Sequence, residues 1–189
     1  VLLDKEQYLA ERQMKQPIGR TSGLANDWFN PSPFTQLLAD TMRDWCQADL
    51  ACVPAGMLLG SLSPGPVSSY DLHRLCPHPI NPCKVTMTGS ELKQFIAEVD
   101  TDRFEQLKVR GLGFRGKLMG KMHYAGNRQH LDDLKHYTVV LPDMFTFGPL
   151  FPEIKEMPKE YFMPELLRDL LFDRLSEKSE FGELPIRKH

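Results

Sequence analysis

The chain has 189 residues, 41% of them hydrophobic and 25% charged, which suits one domain with a short appendage. A chain of this size buries about 70% of its unfolded surface and builds a core without staples. Lys and Arg total 23 against 25 Asp and Glu, a formal net charge of −2. That balance argues against non-specific binding to a nucleic acid polymer, which draws on a basic excess. No apolar run reaches 18 residues, so no membrane-spanning helix is expected.

Near the start stand Asp4, Lys5, Glu6, Glu11 and Arg12, and no apolar signal-peptide core follows them. The chain opens on Val1 rather than Met, and the expectation is a fragment of a longer polypeptide. Cys46, Cys52, Cys76 and Cys83 are too few for a disulfide scaffold and read as free thiols. Free thiols tilt the expected compartment toward the cytoplasm, while upstream sequence leaves it open.

Residues 3–15 read as a short charged helix, ended by Pro17 and Gly19. The polar, turn-rich stretch that follows, carrying Trp28 and Phe29, makes residues 1–31 an expected inter-domain linker. The domain proper is expected over residues 32–189. Its first strong element is a helix over 33–48, with Ser32 as cap and Pro33 at the first position, where no backbone donor is needed. Phe34, Leu37, Leu38, Met42 and Trp45 share one face of it. Residues 49–53 form a short buried strand, and 54–67 a loop rich in Pro and Gly.

A short helix begins at Ser68 or Ser69 and runs to Leu75. Pro77, Pro79 and Pro82 then make 76–83 a rigid loop, because proline fixes φ and cannot donate. A strand follows over 84–87. Thr88 and Glu91 form a capping box for a helix over 89–99. Alternation predicts a strand over 114–124, with Arg115, Lys117, Lys121 and His123 on one face. Residues 137–141 read as a central strand, 143–154 as an aromatic loop, and 159–175 as the last helix, with Leu166, Leu167, Leu170, Leu171 and Leu175 inward. Irregular alternation of strands and helices argues a mixed α/β or α+β domain.

Several chemistries are weighed against plainer readings. His73, Cys76, His78 and Cys83 hold zinc-ligand types, but the spacing H-x2-C-x-H-x4-C matches no common zinc module. Asp71-Leu72-His73 is a D-x-H triplet, yet the companion motifs that hold two cations are missing. Gly111-Leu112-Gly113 hints at a dinucleotide loop but no helix follows. The basic face of 115–123 suits phosphate groups, or more plainly a solvated edge protected by lysines. The aromatic loop, with Phe145, Phe147 and Phe151, packs on the core or a partner domain, or forms a platform for a planar ligand. No metal site and no catalytic residue is expected in this chain.

The order of these motifs resembles the C-terminal domain of 5′-nucleotidases, the family that includes UDP-sugar hydrolases and 2′,3′-cyclic phosphodiesterases. Ser32-Pro33-Phe34-Thr35-Gln36-Leu37-Leu38-Ala39-Asp40-Thr41 resembles the family's "S-x-L-G-N-L-x-A-D-A". Ala48-Asp49-Leu50-Ala51 is similar to "A-D-I-A", and Gly65-Pro66-Val67-Ser68-Ser69-Tyr70-Asp71-Leu72 to "G-x-I-T-x-x-D-L". Val85-Thr86-Met87-Thr88-Gly89-Ser90-Glu91-Leu92-Lys93 is close to "V-x-L-T-G-x-E-L-K". The resemblance covers residues 32–152 and implies a four-layer α/β/β/α domain with mixed β-sheets. It also implies an N-terminal metallophosphoesterase domain on the same polypeptide, which would hold divalent Mn, Zn or Mg and the catalytic His–Asp pair. This chain would then recognise a small nucleotide-like substrate.

Departures from the family mark a divergent branch. The "N-G-G-G-I-R" loop aligns with Pro54-Ala55-Gly56-Met57-Leu58-Leu59, which lacks both polar contacts. The upstream substrate Arg falls at about Asn30, and the Asp of "G-G-D-G" becomes Leu150. The first stacking Phe aligns with His78, and the second falls at Met144 beside Phe145. The expected pocket lining is therefore His78, Asn81, Met144, Phe145 and Phe147. The rival reading is a non-catalytic packing or regulatory module that has lost nucleotide binding.

Overall fold

The computed structural model describes residues 2–100, 122–128, 130–148 and 151–177. The main sheet is organised around β2 (Leu50–Pro54), every residue of which is buried. Its alternating side chains feed two cores: Ala51 and Val53 face one, Leu50 and Cys52 the other. A strand buried on both faces must be central, and it is. β2 pairs with β5 (Met122–Ala125) antiparallel on one side and with β6 (His136–Pro142) in parallel on the other. β4 (Pro82–Thr88) runs antiparallel to β6, and β7 (Lys159–Tyr161) closes the order β5-β2-β6-β4-β7. A second, two-stranded sheet joins β1 (Pro17–Thr21) and β3 (Gly65–Ser68). Helices on both faces of a mixed sheet, with a separate ribbon, make the expected α+β class.

On one face lies α2 (Pro33–Trp45), whose Phe34, Leu37, Leu38 and Met42 are fully buried. Ser32 caps it as the sequence predicts, its hydroxyl accepting from Thr35 N. α5 (Leu167–Glu177) packs beside it through Leu167, Leu170, Leu171 and Leu175. The ribbon packs mainly on α5 and, through β3, on α3 (Ser69–Leu75). On the opposite face, α4 (Gly89–Asp100) buries Leu92 and Phe95 against Val85, Met87, Val139 and Leu141. The box that starts α4 is formed: Glu91 accepts from Thr88 N at 2.7 Å, and Glu91 N donates to the Thr88 hydroxyl at 3.2 Å. Gly89 opens this helix because a Cβ there would overlap the Asp132 carbonyl. Among the described residues no helix is long and apolar enough to cross a membrane.

Several element readings change, among them the start of β4 at Pro82, inside the segment read as the loop 76–83. The segment read as the loop 54–67 contains a 3-10 turn (Ala55–Met57) and β3. β3 forms because β1 lies alongside it, a partner far away in sequence that local composition does not reveal. The helix expected over 159–175 begins only at Leu167. Pro164 bars a helix running through it, and Lys159–Tyr161 find hydrogen-bonding partners on β4 instead. The aromatic loop holds two 3-10 turns, Asp143–Thr146 and Pro152–Glu156. Of the strand expected over 114–124, residues 114–121 lie outside the described residues, as do Gly111-Leu112-Gly113 and Leu150. Within segment 1–31, α1 (Leu2–Met14) and β1 are formed, and Leu24 bridges Leu62 and enters the core.

Candidate functional site

Three loops meet at the same end of the main sheet. β2 and β6 run parallel and end at Pro54 and Pro142; β4 runs the other way and begins at Pro82, directly paired with Pro142. Proline is admitted at strand ends because a missing donor costs no ladder bond there. The loops that follow or precede these prolines, 54–59, 76–82 and 143–148, therefore converge. Asp143 N donates to the Asn81 carbonyl at 2.9 Å, which joins two of them directly.

This convergence places the five expected pocket residues near one sheet end but gives them different environments. His78 is exposed at the tip of its loop, and Phe147 is 61% exposed. Met144 is half-buried and packs against both cores. Asn81 is half-buried and already engaged, its Nδ2 donating to the Glu165 carbonyl at 2.7 Å. Phe145 is fully buried, with its ring edge-on to Phe151, and Phe151 is in turn edge-on to Phe95. The Phe145 ring is thus part of the core beneath the loop. Thr146 is fixed by its own hydroxyl, which bonds Asp143 O at 2.7 Å and the Tyr161 hydroxyl at 2.8 Å. Burial pushes the Asp143 carboxyl above its ordinary value, against the opposing pull of the Asn81 and Met144 backbone groups.

The segment aligned with the family's polar loop turns inward. Pro54, Ala55, Met57 and Leu58 are buried, and Leu59 is exposed. Asn30 is exposed and spends its side-chain amide on Asp27. Neither Asn30 nor any residue of 54–59 carries a charged side chain.

The metal readings find plainer roles. Cys76 and Cys83 are buried free thiols while His73 and His78 are exposed, and among the described residues no group of His, Cys, Asp and Glu could hold a metal ion. Burial pushes the Cys76 thiol up to about 12, with the Arg168 charge acting the other way. Asp71 of the D-x-H triplet completes a capping box, accepting from Ser68 N at 2.9 Å and from the Ser68 hydroxyl at 2.7 Å. Two surface cavities lie at the opposite end of the sheet. One, about 480 Å³, is lined by Thr88, Glu91, His136, Glu153 and Glu156 among others; the second borders Asp49 and Tyr137. Acidic side chains on a loop after β6, such as Glu153 and Glu156, carry no spacing pattern that would have singled them out in the sequence.

The model of the family described as 5′-nucleotidase, C-terminal domain, matches residues 13–148. The protein named uncharacterized metallophosphoesterase YunD of Bacillus subtilis (strain 168) is 42% identical over 200 aligned residues, covering 93% of this chain and 43% of that protein. Solved nucleotidases are among the structures that share the fold. The 5′-nucleotidase precursor of Thermus thermophilus superposes with a TM-score of 0.70 at 16% identity, over 96% of this chain and 41% of that one. The NAD nucleotidase of Haemophilus influenzae gives 0.70 at 18% identity, over 95% and 38%. This chain spans less than half the length of each. By sequence match and by fold, the chain belongs to the 5′-nucleotidase C-terminal domain family.

Proposed function

We propose that this chain is the substrate-recognition domain of a metal-dependent phosphoesterase that hydrolyses nucleotide phosphate esters. The catalytic metallophosphoesterase domain and its divalent ions stand elsewhere on the same polypeptide, N-terminal to it. The convergence of loops 76–82 and 143–148 at one sheet end carries the reading, because it leaves His78 and Phe147 exposed on two loops whose backbones are joined beneath them. Imidazole and phenyl faces both accept a stacked planar ring. The 43% coverage of a relative named as a metallophosphoesterase supports the missing catalytic part. The domain boundary at residue 32 and the linker role of residues 1–31 are parts of the same proposal.

Phosphate release by the full-length polypeptide with Mn²⁺ tests it, using AMP, UMP and UDP-glucose as probes. Saturable hydrolysis is expected, with His78→Ala and Phe147→Ala raising KM about tenfold while kcat stays near the parent value. No release from any probe overturns it. The rival role, a packing or regulatory module, is favoured by the inward turn of Pro54–Leu58. It predicts an active enzyme whose KM does not respond to either substitution.

A further inference from the structure

The loop 76–82 has an unusual way of being held. Pro77, Pro79 and Pro82 have no backbone donor, so the loop is attached mainly through its carbonyls. Arg168 Nη1 donates to Pro77 O at 3.2 Å, Leu167 N to Ile80 O at 2.9 Å, and Phe162 N to Pro82 O at 3.1 Å. Asn81 adds the one side-chain tie in the other direction, to Glu165 O. All four partners lie between residues 162 and 168, at the start of α5 and the turn before it. Between the Pro77 and Ile80 anchors stand only His78 and Pro79, both exposed.

We propose that Arg168 and Asn81 are positioning residues that clamp this loop to the start of α5 and thereby set where His78 stands. The clamp rests on the functional reading above for its consequence, since it acts on substrate through His78; Asn81, expected in the pocket lining, spends its side-chain donor on Glu165 O. A charge-assisted bond from Arg168 and a short amide bond from Asn81 flank the exposed tip on both sides, so loss of either lets the tip wander. Leu167 buried in the core supplies the fixed base against which both pull.

The experiment compares the parent full-length polypeptide with Arg168→Ala, Arg168→Lys and Asn81→Ala. Amide exchange at Ile80 and Leu167 is read alongside KM and kcat for AMP, UMP and UDP-glucose. In both alanine variants, exchange at these two amides is expected to rise about tenfold, the scale of one lost hydrogen bond to a charged or short-bonded partner. Amides of Val85 and Val139 in the β4–β6 ladder should keep their parent rates. KM should rise about fivefold with kcat within about twofold, the pattern of lost uniform binding. Arg168→Lys, which keeps one donor, should recover most of both effects. Unchanged exchange at Ile80 overturns the clamp. Faster exchange with unchanged KM overturns its positioning role. A parent enzyme inert on all three probes overturns the functional reading instead, and the exchange result still decides the clamp.

Discussion

Two loops at the same end of the main sheet are built in opposite ways. Residues 54–59 turn inward and bury Pro54, Ala55, Met57 and Leu58, so their contribution is to the core. Residues 76–82 turn outward and hold His78 and Pro79 in solvent on four ties to residues 162–168. The first is stabilised by desolvated apolar area, which has no direction. The second is stabilised by directed hydrogen bonds that fix a position. Substitutions should therefore lower stability at the first loop and alter recognition at the second.

The largest effect expected is on the buried side of that contrast. Phe145→Ala removes a fully buried ring that touches Phe151, and should cost about 3–5 kcal/mol in urea unfolding. Leu58→Ala, also fully buried, should cost about 2–5 kcal/mol. A loss below about 1 kcal/mol at Leu58 would mean that loop 54–59 collapses freely and is no part of the core.

The thiols give the next effect, and a pH dependence. Burial pushes Cys46 and Cys76 up to about 12 and Cys83 to about 11. A thiol whose folded value lies above its unfolded value holds its proton longer in the fold. Its contribution is fully present below about pH 8.5, the free-thiol value, and is lost as pH rises toward the folded value. Unfolding free energy should fall from about pH 9 upward by as much as about 1.4 kcal/mol per pH unit for each such thiol. Cys76→Ala should flatten that slope. Urea melts at about pH 7.5, 9 and 10, spanning the free-thiol value, measure it.

Smaller still is the cap of α3. Ser68→Ala removes a hydroxyl that accepts from Asp71 N and donates to the Asp71 carboxylate, and should cost about 1 kcal/mol. The smallest change in stability belongs to the outward side. Phe147→Ala and His78→Ala should stay within about 0.5 kcal/mol of the parent, since both side chains are exposed. A larger loss at His78 would break the contrast, because it would make the tip a structural element.

Legibility follows the range of the interaction. Ser32, Ser68 with Asp71, and Thr88 with Glu91 cap helices through partners three residues away. Such signals lie wholly within a short stretch of sequence, so the starts of α2, α3 and α4 are readable to within a residue. The apolar runs of β2 and β6 are readable for the same reason. The strand β7 is not, because Lys159–Tyr161 adopt their conformation from β4, a partner distant in the chain. Phe145 and Phe147 stand two residues apart with the same side chain, and only the turn Asp143–Thr146 sends one inward and the other outward.

Sequence by itself determined the α+β class, the family and the proline-rich character of the loop that carries His78. The class and the loop's character follow from local patterns of capping, periodicity and missing donors, and the family from the order of short motifs that resemble its members; none of these needs knowledge of how distant parts of the chain meet. Tertiary structure alone decided which loops share an end of the sheet, and that Asn81 spends its amide on Glu165. It also decided that Arg168, which no motif singled out, reaches back to Pro77. Those facts depend on distances across the fold, and a proline-rich loop without donors takes its position from whatever donor the fold brings to its carbonyls.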